Sequence, residues 1–247
     1  MSWPFVLIAA FFNLLTVSKR ARKFKKNPKD MFLEDRLKIV YKLFNKILYL
    51  KRIEVIAEGF DKLPSKQILM VSNHKSAYDP IVIFKAFYES GHMSQTAFIA
   101  KAELQKRWAV RKVLELLNGI FIQRDNGRSI LECYNSEIER IKDGYSIIVF
   151  PEGTRIKGDT FGEFKPATLR VAMENYVAIS PVAVYGSENI KPKNKNGKHK
   201  VYVSALKLVQ PNKYINTKQD FLMQSIQEDI FVVYKELLKK AQEEIDK

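Results

Sequence analysis

From Leu50 onward, short apolar runs alternate with longer stretches in which apolar residues recur at helical spacing. The runs predict strands over 53–57, 68–72, 96–100, 120–123, 146–150, 178–185 and 201–209. The longer stretches predict helices over 80–89, 109–117, 129–142, 166–175 and 218–245. The last of these carries Leu222, Ile226, Ile230, Val233, Leu237 and Ala241 on one side, a core-facing stripe. Strands alternating with helices predict an α/β layer structure, one domain with a largely parallel or mixed sheet flanked by helices. No internal repeat or low-complexity tract interrupts the pattern.

The first fifty residues differ. Residues 3–17 are nearly all apolar, broken by Pro4, Asn13 and Thr16, and lead into Ser18-Lys19-Arg20-Ala21-Arg22-Lys23-Phe24-Lys25-Lys26. With no basic segment before them and no small-residue cleavage site after them, they do not read as a cleaved signal. Fifteen helical residues rise about 22 Å, short of the roughly 30 Å hydrocarbon core. Over 31–50, Leu33, Leu37, Val40, Phe44 and Ile47 share one helical side, while Lys38, Lys42, Asn45 and Lys46 occupy the other. An apolar helix, a basic turn and an amphipathic helix are therefore expected. The division is 1–50 as a membrane-associated helix pair and 51–247 as the α/β domain. The pair is either a hairpin packed on the core or an anchor in one leaflet, and the seven cations of 19–29, with no acid among them, favour the anchor. Cell-membrane attachment, peripheral or monotopic, is expected. If the first helix spans, the positive-inside bias sets the body on the cytoplasmic side.

Charge sharpens this. The 247 residues carry 42 Lys and Arg against 27 Asp and Glu, a formal net charge of +15, which points to an anionic partner: a membrane surface, a phosphorylated substrate or nucleic acid. No nucleic-acid motif or interleaved aromatic and basic platform supports the last. The lysine-rich stretch 191–200 reads either as a solvated loop or as a second membrane or acyl-carrier contact. Cys133, the one cysteine, falls in an expected helix and excludes an internal disulfide, and His74, His92 and His199 are scattered, so no metal centre is expected.

Polar blocks follow three of the apolar runs. Ile68-Leu69-Met70-Val71-Ser72 leads into Asn73-His74-Lys75-Ser76-Ala77-Tyr78-Asp79. Ile120-Phe121-Ile122-Gln123 ends in Arg124-Asp125, and Ser146-Ile147-Ile148-Val149-Phe150 runs into Pro151-Glu152-Gly153-Thr154-Arg155. In open α/β sheets ligands bind beyond the carboxyl ends of parallel strands. If these strands are parallel, His74, Arg124 and Glu152 meet on one edge. His74 and Asp79 are too far around one helix to touch, but Asp79-Pro80 has the look of a helix start, with His74 in the turn before it. That turn can fold the carboxylate onto the imidazole, leaving one ring nitrogen as a base. The other reading makes Asp79 a helix cap and His74 a buried hydrogen-bonding group. No serine or cysteine has a nucleophile's surroundings, so a catalytic His74 would activate a substrate hydroxyl, in direct acyl transfer without an acyl-enzyme. Arg124 and Arg155 offer planar forks suited to phosphate, or make surface ion pairs.

These blocks resemble the glycerolipid acyltransferases, particularly the bacterial-type 1-acyl-sn-glycerol-3-phosphate acyltransferases. Asn73-His74-x-Ser76-x-x-Asp79, Gly119-Ile120-Phe121-Ile122-Gln123-Arg124, Phe150-Pro151-Glu152-Gly153-Thr154-Arg155 and Ser180-Pro181-Val182-Ala183-Val184 match the family's four blocks in order. Lys101-Ala102-Glu103-Leu104 and Gly59-Phe60-Asp61-Lys62-Leu63-Pro64 resemble two further segments, so the likeness covers 53–185. Gln123 stands where an acid is frequent, and Ile156-Lys157 where a serine is common.

The resemblance implies His74 as general base and Asp79 as its orienting partner, with Asn73 and Ser76 supporting the motif. It implies Lys101, Arg124 and Arg155 at the acceptor's phosphate, and Glu152, Gly153 and Thr154 shaping the acceptor site. Pro181 would belong to the acyl-donor site. The reaction implied is acylation of the sn-2 hydroxyl of lysophosphatidate from acyl-coenzyme A or acyl carrier protein, with no other cofactor. The family's N-terminal helix pair docks on one leaflet. Another acceptor in the same family, such as glycerol-3-phosphate or a lysophospholipid, and a non-catalytic lipid-binding protein are the rival readings.

Overall fold

The computed structural model describes residues 3–190 and 198–245. Most of the lysine-rich stretch 191–200 therefore lies outside the described residues. Among these residues seven strands form one sheet: β1 (Ile53–Glu58), β2 (Leu69–Ser72), β3 (Thr96–Lys101), β4 (Ile120–Ile122), β5 (Ser146–Val149), β6 (Ile179–Tyr185) and β7 (His199–Ala205). The helices are α1 (Trp3–Lys26), α2 (Leu33–Leu50), α3 (Asp79–Glu89), α4 (Trp108–Leu116), α5 (Gly127–Lys142), α6 (Arg170–Glu174), α7 (Pro211–Tyr214) and α8 (Gln219–Ile245).

The strand order is β1-β7-β6-β2-β5-β3-β4. All neighbours are parallel except β6 and β7. The carboxyl ends of β2 to β6 therefore share one edge, here the carboxyl edge, with the amino ends of β1 and β7.

Both faces are covered, which is why the strands read as continuous apolar runs. Successive residues alternate between two cores. Ile68, Met70, Ile148 and Phe150 face α1 to α4, whereas Leu69, Val71, Ile147 and Val149 face the side closed by α8. The α8 stripe is as expected, with Leu222, Ile226, Ile230 and Leu237 buried.

Gly59, just after β1, has φ +78, and a Cβ there would lie 2.2 Å from the Ala205 carbonyl oxygen. Only glycine admits β7's end this close.

Three elements depart from the sequence reading. Residues 18–26, expected as a turn, continue α1, because nothing before Asn27-Pro28 breaks a helix there. Val17, Ala21 and Phe24 recur at helical spacing and are buried in the same core as the sheet. The helix expected over 166–175 is a 3₁₀ turn, Pro166–Leu169, followed by α6. The last strand ends at Ala205 instead of continuing to 209, and Val209 returns only as an isolated bridge to Ile179.

Pro181 accounts for that gap. It lies inside β6, paired with Val71. The amides of Ile179 face Val209, so by alternation the nitrogen of Pro181 also faces the β7 side. The residue without an N–H thus sits where the neighbouring strand is interrupted.

A cleft of about 690 Å³ opens at the opposite, amino edge of the sheet, lined in part by Phe24, Arg36, Gln95, Asn118 and Tyr145. Buried Arg36 there donates to the Leu116 carbonyl at the end of α4 and stacks on Phe24 at 4.2 Å. This is an arginine serving a helix carboxyl terminus.

Candidate active site

The loop between β2 and α3 carries the site's centre. Asn73 fixes its base. The buried amide donates to the Val184 carbonyl at 2.9 Å and accepts the Val184 N–H at 2.8 Å, tying the loop to β6. One residue on, His74 places Nδ1 2.8 Å from Asp79 Oδ2. Asp79 is fully buried, while the His74 side chain keeps 19% of its surface exposed.

Asp79 is not the helix cap that Asp79-Pro80 suggested. It is the first residue of α3, and its carboxylate turns back to accept the backbone N–H groups of Lys75 and Ser76, each at 2.7 Å. The hydroxyl of Ser187, just beyond β6, donates to its other oxygen, with Ser76 Oγ at 3.4 Å. An oxygen that already accepts two N–H groups can only accept again, so Nδ1 of His74 is the donor. Nε2 is then left with a free lone pair. The imidazole face is covered by Phe150, stacked at 4.3 Å. The ring therefore has one orientation and one tautomer.

The block after β5 closes over this loop. Glu152 is buried and braces two backbones: Oε1 accepts the His74 N–H at 2.7 Å and Oε2 the Gly162 N–H at 2.9 Å. Burial raises its pKa, opposed by those two donors and by the nearby charge of Lys75. The Ile156 N–H adds a bond to the His74 carbonyl at 3.0 Å. Gly153 has φ +70, and a Cβ there would lie 2.5 Å from a terminal nitrogen of Arg124. Glycine thus lets the guanidinium from the end of β4 lie against this loop. Arg124 is half-buried, and burial lowers its pKa, opposed by Glu103. Thr154, Arg155 and Lys101 are exposed.

The structure thus brings together Asn73, His74, Ser76, Asp79, Arg124, Glu152 and Gly153, with Lys101, Thr154 and Arg155 on the same carboxyl edge. Pro181 stands apart, inside the sheet. The sequence reading missed two members. Ser187 follows a strand end, the same signal that marked the other blocks. Lys75 falls at a position that the motif leaves open. It is buried, donates to the carbonyls of Gly158 (2.9 Å) and Thr160, and lies over the rings of Phe161 and Tyr234. Burial lowers its pKa, opposed by Glu152, Glu188, Asp159 and Asp79. It clamps the stretch downstream of Arg155 onto the histidine loop.

An imidazole held by a buried carboxylate, with a lone pair left on Nε2 and an arginine against the next loop, can accept a proton from a hydroxyl group of a substrate. A family model described as Acyltransferase matches residues 54–185, more than half of the chain. A probable 1-acyl-sn-glycerol-3-phosphate acyltransferase of Mycoplasma pneumoniae is 36% identical over 184 residues, covering 74% of this chain and 69% of the relative. One with the same name from Mycoplasma genitalium is 36% identical over 193 residues, 78% and 70% of the two chains. The crystal structure of the 1-acyl-sn-glycerophosphate acyltransferase PlsC from Thermotoga maritima superimposes with a TM-score of 0.67 at 24% identity, over 92% of this chain and 97% of that one. The chain belongs to the acyltransferase family. It is an enzyme of that family, and its fold is that of the Thermotoga protein.

Proposed function

We propose that this protein acylates the sn-2 hydroxyl of 1-acyl-glycerol-3-phosphate from an acyl thioester, on coenzyme A or acyl carrier protein, giving phosphatidate. The observation that carries the reading is the His74–Asp79 pair, whose geometry leaves Nε2 as the proton acceptor. The names of the Mycoplasma relatives support the acceptor.

In this scheme His74 Nε2 takes the acceptor hydroxyl's proton as the oxygen attacks the thioester carbonyl carbon. The tetrahedral intermediate collapses, the carbon–sulfur bond breaks, and the departing thiolate takes the proton back from the imidazolium. Asp79 holds the tautomer and stabilises the imidazolium. Arg124, Arg155 and Lys101 hold the phosphate, Gly153 and Thr154 shape the acceptor site, and Glu152 supports it through the loop backbones. Pro181 contributes to the donor side through the path it imposes on β6. The scheme needs no cofactor besides the thioester.

Membrane docking belongs to the same proposal. No helix of the described residues is long and apolar enough to cross a membrane. Yet α1 leaves Phe11 58% and Phe12 60% exposed, with Leu7, Ile8 and Leu15 beside them. Its carboxyl half exposes Lys19, Arg20, Arg22, Lys23, Lys25 and Lys26. An apolar stripe followed by cations suits one leaflet with anionic headgroups.

The test is purified protein with labelled acyl-coenzyme A, or acyl carrier protein as donor, and a panel of acceptors. Phosphatidate from lysophosphatidate is expected. Product from a different acceptor alone would overturn the acceptor, and no product from any pair would overturn the enzyme scheme.

A further inference from the structure

We infer that the start of α4, with Trp108 at its tip, is a second bilayer-contact element, separate from the N-terminal helix pair. The inference rests on the membrane-docking reading above and names a surface outside it.

Trp108 opens α4 and is 39% exposed. The buried residues of this helix are Val113, Leu114 and Leu116, and Trp108 stands outside them. Its neighbours Lys106 and Arg107 are exposed as well. Across residues 101–115 there are five cations and two acids; Glu115 pairs with Arg111 and Lys112, which leaves Lys101, Lys106 and Arg107 against Glu103. Tryptophan flanked by cations suits the headgroup layer, where the indole has an apolar body and a polar N–H and the cations meet lipid phosphates. The charge selects an anionic bilayer over an apolar protein partner.

Direction in the fold adds a second argument. The amino-edge cleft is lined by Phe24 and Lys25 from the end of α1 and by Asn118 and Gly119 just past α4. Both helices therefore end at that edge and begin toward the other. They also pack on each other. Trp108 thus lies toward the same carboxyl edge as the exposed apolar stripe of α1. The 3₁₀ turn Ala102–Lys106, immediately before Trp108, packs against β3 and β4, the strands that end in Lys101 and lead to Arg124. A leaflet touching both elements would meet the rim of the site from two sides. A lysophospholipid could then pass its headgroup to the cations while its chain stayed in lipid.

The chain has two tryptophans, Trp3 and Trp108, so each can be read alone. Trp3→Phe leaves only the indole of Trp108, and Trp108→Phe leaves only that of Trp3. Both full-length variants are mixed with vesicles of phosphatidylglycerol and phosphatidylcholine carrying brominated acyl chains, and binding is followed in parallel by co-sedimentation. The expected result is a blue shift and bromine quenching of Trp108, together with weaker co-sedimentation of Lys106→Ser/Arg107→Ser. Co-sedimentation with unshifted, unquenched Trp108 would overturn this inference and leave docking by α1 standing. Absence of co-sedimentation would overturn the docking reading, and this inference with it.

Discussion

The backbone N–H of His74 donates to the carboxylate of Glu152 at 2.7 Å, joining two sequence blocks 78 residues apart. The same carboxylate holds Gly162. Glu152 therefore acts on His74 through the backbone. Glu152→Gln can keep only one of the two acceptor bonds, because the amide nitrogen donates where an acceptor is needed. It is expected to lower kcat while leaving KM for the acceptor nearly unchanged, and Glu152→Ala, which removes both bonds, should lower kcat further. Steady-state kinetics on both variants check this; a change confined to KM would instead put Glu152 on the acceptor.

Gly153 and Arg124 compete for one space. Gly153→Ala places a methyl group 2.5 Å from the guanidinium's present position, on a backbone with φ +70. The flexible side chain gives way, and the left-handed backbone costs about 1 kcal/mol. The expected outcome is a raised KM for a phosphorylated acceptor with a modest drop in melting temperature. An unchanged KM would remove Arg124 from phosphate binding.

Glu137, buried on α5 beside Cys133, has its pKa raised by burial to about 7 from 4.5, with the thiol contact opposing. Above pH 4.5 the unfolded chain loses this proton while the folded chain keeps it up to about pH 7. The contribution of Glu137 to stability therefore falls as pH rises across that window, by on the order of 3 kcal/mol, and changes no further above it. Glu137→Gln should flatten the dependence and raise stability at pH above that window. Urea unfolding of both proteins across the range checks it, and parallel curves would contradict it.

Most of the sheet was legible because strands buried on both faces must be apolar throughout, and Leu69 to Val71 and Ile147 to Val149 leave no polar break. The site was legible where polar residues follow such runs. What the sequence hid depends on contacts between distant segments. Asp79 caps two upstream amides instead of its own helix, a choice made by the loop's fold. Lys75 fills a position the motif leaves open, and what permits its burial, the carbonyls of Gly158 and Thr160 and the rings of Phe161 and Tyr234, comes from distant segments. The continuation of α1 through residues 18–26 was hidden because the lysines and arginines suggested a turn, while Val17, Ala21 and Phe24 supplied the packing that decides.

The apolar stripe of α1 can be tested without dismantling the fold. Removing the whole helix would strip Val17, Ala21 and Phe24 from the core. Phe11→Glu/Phe12→Glu alters only exposed positions. It is expected to abolish most vesicle co-sedimentation while leaving the melting temperature within a degree or two, roughly the scale of a neutral surface change. Full vesicle binding by this variant would refute the anchor.

The central claim is that His74 is the base. The most direct measurement is the single-turnover rate of acyl transfer to lysophosphatidate by wild type and His74→Ala, with circular dichroism showing both folded. A loss of about 10²- to 10⁴-fold is predicted, the usual worth of a positioned general base. A His74→Ala rate within about twofold of wild type, far below that range, would contradict the account.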